Sequence, residues 1–256
     1  MCVLMRKEYK KSIEKIIRAN KLHNNANPLF KRNVSDAQYD LEFNVLKNCW
    51  DLKNKRKITS NISVENIIIV LESPHIDEFD QNGNGLYPLM NDELFKQHLC
   101  KLINNSKKLQ FTLNKQIKYI IYLINAIQFQ CSLGQPTEYY RDFVFLYYWK
   151  KLYKDFEQRL SSYINFNTKA IINLCTKGSH KKCYNLYNSV SKKIDYVYKS
   201  CCNSFINKIY SQLNSCNNLQ ELVGVSIDNV IKNNTCQINI TEGTHPSSWR
   251  YGGKIK

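Results

Sequence analysis

The stretch Asn66-Ile-Ile-Ile-Val-Leu71 constrains this chain more than any other, because its consecutive β-branched and apolar side chains leave no polar face. A strand with one wet side alternates apolar and polar residues. A continuous apolar run of this length is instead the pattern of a strand covered on both faces, as in a parallel sheet. Runs of the same type recur in KYIIYLINAIQF (118–129) and KAIINLCTKG (169–178), and more weakly in CQINITEGTHP (236–246). Helical periodicity fills 91–108 and 137–163 between them. This alternation predicts an α/β fold: a three-layer α/β/α arrangement around a central, mainly parallel four-stranded sheet.

Two regions fall outside that grammar. Residues 1–60 read as a helical lead-in. RKEYKKSIEKIIRANKL places Ile13, Ile16 and Ile17 on one face, and SDAQYDLEFNVLKNCWDL begins with a Ser35 cap signal. Residues 179–235 are too long for one crossover and read as a helical insertion before the last strand. No internal repeat and no flexible Gly/Ser linker interrupts the chain, so one domain over 1–256 is expected.

Composition narrows the partners. The 256 residues carry a net charge of +16, mostly from lysine, with 43% hydrophobic residues. A field of that sign concentrates polyanions, which makes nucleic acid the leading partner. No run approaches the roughly 18–20 apolar residues that span a bilayer, and MCVLMRKEYKK is too short in its apolar part for a signal peptide. The expectation is a cytoplasmic monomer with no membrane partner. The ten cysteines form no C-x-x-C pair, which argues against zinc-ribbon or iron–sulfur spacing and for buried reduced thiols. No cofactor and no metal are expected.

In open α/β sheets ligands bind outside the carboxyl ends of the strands. Four polar segments follow the predicted strands: ESPHIDEF (72–79), NAIQF (125–129), TKGSHKK (176–182) and THPSSWR (244–250). Each alone is a common turn or loop. Their order and wording, however, resemble the uracil-DNA glycosylase superfamily over about residues 64–252. LESPH is similar to the superfamily's first motif in its Gly-Glu-Ala-Pro-Gly form, with Glu72 and Pro74 matching and Leu71, Ser73 and His75 departing. YLINAIQF resembles the strand end carrying the base-reading Asn, here Asn125. HPSS matches the His-Pro-Ser-Pro motif at His245, Pro246 and Ser247.

The resemblance implies a monofunctional glycosylase that flips a pyrimidine out of DNA, reads its edge and hydrolyses its N-glycosidic bond. Asn125 carries both a donor and an acceptor for that edge. A neutral His245 would stabilise the departing base anion, and a carboxylate would orient the water and stabilise the charge on the sugar. Glu72 is the first choice for that carboxylate and Asp77 the second. A purely loop-holding role for Glu72 stays open, because Ser73 stands where the best-known motif has Asp before Pro.

His75 and Ser73 line the substrate side, with His75 in place of the bulky Tyr that excludes 5-methyl groups in one branch. Tyr87, in NGNGLYPL, is the candidate to stack on the base. Lys177, Ser179, Lys181 and Lys182, then Ser247, Ser248, Trp249 and Arg250, are the candidates to contact DNA. The substrate is expected to be uracil or a 5-modified phage cytosine, the latter implying anti-phage defence. The alternative is a non-catalytic DNA-binding protein of the same fold. An α/β phosphohydrolase is disfavoured, since no Walker motif and no Asp cluster is present.

Overall fold

The computed structural model describes residues 34–56, 64–74, 78, 93–104, 112–128, 131, 137–178, 216, 218–234 and 237–243. They form six strands and three helices: β1 (Ala37–Asn44), β2 (Cys49–Arg56), β3 (Asn66–Leu71), α1 (Glu93–Asn104), β4 (Tyr119–Asn125), α2 (Thr137–Tyr163), β5 (Thr168–Asn173), α3 (Leu219–Lys232) and β6 (Asn239–Glu242). The strands make one mixed sheet in the order β2-β1-β4-β3-β5-β6. The fold is α/β as expected, and the sheet has six strands rather than four.

The difference lies in the lead-in. SDAQYDLEFNVLKNCWDL is not a helix but the antiparallel hairpin β1–β2, with β1 also antiparallel to β4. Ala37, Tyr39, Leu41 and Phe43 recur at period two and pack into the same apolar cluster as Trp50 and Leu52. That is the spacing of one face of a strand. Asn48 closes the turn with φ 48°, a left-handed conformation that Asn tolerates better than most residues. The first amphipathic run, RKEYKKSIEKIIRANKL, lies outside the described residues.

The four expected strands are β3 to β6, paired in parallel. All of β3 and β4 is buried, which is what their unbroken apolar runs require. Alternate residues serve opposite faces. Ile67, Ile69 and Leu71 pack with Leu99, Leu102 and Ile103 of α1. Ile68 and Val70 pack with Phe145, Trp149, Phe156 and Leu160 of α2 and Val223 and Ile227 of α3. Helices therefore cover both faces of the sheet. Within 179–235 the described helix is α3, capped by Asn218, whose side-chain oxygen accepts from Glu221 N at 3.0 Å.

Because β3 to β6 are parallel, their carboxyl ends line up along one edge. Chain connections run from β3 outward to β4, then back across to β5 and on to β6. The direction of winding thus reverses between β3 and β5, the place where an open α/β sheet forms a crevice.

Candidate functional site

The strand ends are joined by backbone hydrogen bonds just past their last residues. Leu71 pairs with Asn125 and Val70 with Asn173. Beyond them Ala126 N donates to Leu71 O at 2.7 Å, Ile127 N to Glu72 O at 3.0 Å, Leu174 N to Val70 O at 2.8 Å, and Gly243 N to Asn173 O at 3.0 Å. Glu72, Asn125, Asn173 and Gly243 therefore stand along one edge. Three of the polar segments named from the sequence begin there, at Glu72, Asn125 and Thr176, and Gly243 is the last described residue before THPSSWR.

Asn125 is fully buried, and neither its side-chain oxygen nor its nitrogen has a hydrogen-bond partner. A buried amide without partners costs about 1–3 kcal/mol, so such groups are rare in native chains. Glu72 is also buried, at 1% exposure. Its charge acts on the Cys175 thiol, just past the end of β5. Burial first, and then the nearby charges of Glu72 and Glu242, push that thiol well above its ordinary range. Cys175 is consequently protonated and inert at neutral pH.

Ser73 is half-buried and Pro74 buried, so the described part of the first loop packs inward. Glu78, a third acid in that loop, is buried at 7% exposure and stands near the Tyr39 phenol. After burial itself, its charge is the second cause that raises Tyr39 to about 12.

The third strand end turns outward. Thr176 Oγ1 accepts from Gly178 N at 3.2 Å, and Gly178 has φ 75°, a left-handed value suited to glycine. Lys177 is exposed, and its carbonyl accepts from Leu219 N at 3.1 Å, which fixes the start of α3 against this edge. Asp77, His75, Tyr87, Ser179, Lys181, Lys182, His245, Ser247, Ser248, Trp249 and Arg250 lie outside the described residues. Of the expected site residues, Glu72, Ser73, Asn125 and Lys177 are brought to the same pole.

Several residues at this pole were not singled out from the sequence. Asn173, 1% exposed, donates to Gln220 O at 3.0 Å and accepts from Cys175 N at 3.1 Å. Gln220 Nε2 donates to Asn173 O at 2.8 Å and Gly243 O at 2.7 Å, clamping the exit of β6. A Cβ on Gly243 would lie 2.3 Å from Leu174 Cδ2, so any side chain immediately before THPSSWR would force Leu174 to move. A signal for Asn173 was present, since IIN at the end of one run repeats LIN at the end of another.

The charge has a direction as well. Acids and bases nearly balance among the described residues, whereas Lys and Arg far outnumber Asp and Glu in 1–33 and 179–215, and 244–256 contain no acid. Of the described residues bordering these stretches, three are at the carboxyl edge: Val34, whose N–H donates to Gln128 O at 3.0 Å, Gly178 and Gly243. Among the described residues no three His, Cys, Asp or Glu side chains are grouped to hold a metal ion, and no helix is long and apolar enough to cross a membrane. Comparison with known proteins returns no match, whether to protein families, to characterised proteins or to solved structures.

Proposed function

We propose that this protein is a DNA glycosylase that flips a pyrimidine, uracil or a 5-modified cytosine, and hydrolyses its N-glycosidic bond to leave an abasic site. The observation that carries the reading is Asn125: a fully buried amide at the carboxyl end of β4, beside β3, with both hydrogen-bonding atoms unused. A flipped pyrimidine offers the acceptor and donor edge that such an amide lacks. Glu72, one strand away, is the carboxylate that orients the water. The bond from C1′ to the base nitrogen breaks, the water oxygen bonds to C1′, and its proton passes to the carboxylate. The base leaves as an anion that His245 stabilises by donating a hydrogen bond.

The basic stretches that border the same edge supply the attraction for the DNA backbone. The chain acts as a monomer, in the cytoplasm. A modified cytosine as substrate would make the enzyme an antiviral defence, and His75 in place of a bulky residue favours a pocket open to 5-substituents.

The test is to incubate the protein with uracil-containing, unmodified and phage-modified duplexes and assay alkali-labile abasic sites. Excision from one modified duplex, and its loss by about two to three orders of magnitude in His245→Ala, is the expected result. Binding to all three without excision would establish instead a non-catalytic DNA-binding protein, the reading favoured by Ser73 in the place of an Asp. No binding at all would remove nucleic acid from its partners.

A further inference from the structure

Behind Asn125 lies a buried ionic cluster that the site as described does not use. Asp36, just before β1, has a side chain 3% exposed; Arg159, late in α2, is 17% exposed. Arg159 Nη1 donates to both Asp36 oxygens at 2.9 Å, and its Nε donates to Asp155 at 3.0 Å. Asp36 also accepts from Tyr163 Oη at 3.0 Å and from Gln128 Nε2 at 3.4 Å. The remaining arm of the guanidinium, Nη2, reaches the backbone carbonyl of Asn125 at 3.0 Å and that of Ala126 at 3.4 Å.

A buried ion pair is weak as a source of stability, because the cost of removing two charges from water offsets their attraction. Its geometric effect is more definite. The planar fork of Arg159 ties three separate pieces of chain, and the piece it holds last is the peptide that carries the unpartnered amide. Asp36 fixes the guanidinium, the guanidinium fixes the Asn125 carbonyl, and Val34 N and Gln128 O close the other side of the same turn.

We infer that Arg159, held by Asp36, is a positioning residue that sets the direction of the Asn125 amide for base recognition. The inference rests on the glycosylase reading for its effect on excision, but not for its effect on the turn. Arg159→Lys keeps a cation beside Asp36 and lacks the fork that spans both carboxylate and carbonyl. On the duplex that the parent excises, Arg159→Lys should lower the saturating single-turnover rate by about tenfold to a hundredfold. Half-saturation should be unchanged. Combined with Asn125→Ala it should cause no loss beyond that of Asn125→Ala alone, since a residue acting only through Asn125 is silent once that amide is gone.

A second readout needs no activity. Amide hydrogen exchange at Ala126 and Ile127 should quicken at least about tenfold in Arg159→Lys while the centre of β3 is unchanged, as expected for local opening. Asp36→Asn, of nearly the same size, takes the place of Arg159→Lys in both measurements should the latter not fold. Multiplicative rate losses in the double variant, or unchanged exchange at Ala126 and Ile127, would overturn the positioning role and leave the glycosylase reading intact. Quickened exchange in a protein that excises no base would do the reverse.

Discussion

Asn125 and Asn173 end parallel strands that flank β3 on opposite sides, and both are buried to within 1%. One is saturated and the other empty. Asn173 uses both ends of its amide to join β5 to the start of α3 and to the Cys175 backbone. Asn125 uses neither end of its amide, and its backbone carbonyl is held by Arg159 instead. The same residue type in the same topological place thus occurs in two states, and hydrogen bonding separates them where burial does not. A saturated buried amide holds the fold together; an unsaturated one carries a desolvation cost that no hydrogen bond offsets.

The largest effect expected from this contrast is on chemistry. Asn125→Ala should reduce single-turnover excision by about 10²–10³-fold, the scale for losing one well-placed polar contact in a closed site. Its affinity for unmodified duplex and its melting temperature should stay near those of the parent. A large fall in melting temperature would place Asn125 with Asn173 and erase the distinction.

Asn173→Ala is the mirror experiment. It leaves the Gln220 carbonyl and the Cys175 N–H without their partner, so unfolding free energy from urea melts should drop by about 2–3 kcal/mol. Gly243→Ala tests the clamp beyond it. Relieving a Cβ placed against Leu174 requires movement in a packed core, for about 1–3 kcal/mol, and the shift falls just before the segment carrying His245.

How far the sequence alone reaches is visible in the same residues. The runs ending in Leu71, Asn125 and Asn173 were legible because burial on both faces forces unbroken apolar stretches, and 137–163 because Phe145, Trp149, Phe156 and Leu160 keep helical spacing. The hairpin was not, because its alternating residues followed a Ser35 that also reads as a helix cap. Asn125 could be named from its motif, but nothing in LINAI distinguishes its empty amide from the filled one in IINLC. Arg159 and Asp36 are 123 residues apart, and no local pattern signals a contact made only by folding.

A smaller effect concerns alkaline pH. Burial raises the phenols of Tyr39, Tyr119, Tyr122 and Tyr163. A group raised in the folded state contributes stability that is fully present below its unfolded value and is lost as pH rises through its folded value. For Tyr39 that window runs from 10.0 to about 12. Urea midpoints should therefore fall across it, and Tyr39→Phe should flatten the fall. The contrast between Asn125 and Asn173 is sharpened if Asn173→Ala lowers the whole curve and Asn125→Ala leaves it in place. The smallest effect is expected from exposed Lys177. Its neutralisation should reduce the slope of log affinity against log salt by about one and leave excision at saturation unchanged.

The register that sets Leu71 against Asn125 and Val70 against Asn173 also decides when these groups come to share one edge. These partners are distant along the chain, so long loops must close before either pair forms, and such contacts are slow to assemble. The empty amide is therefore created by completion of the sheet rather than by any local turn. A base bound there would be linked to the unfolding of β3, β4 and β5 together, and would slow their opening as one unit.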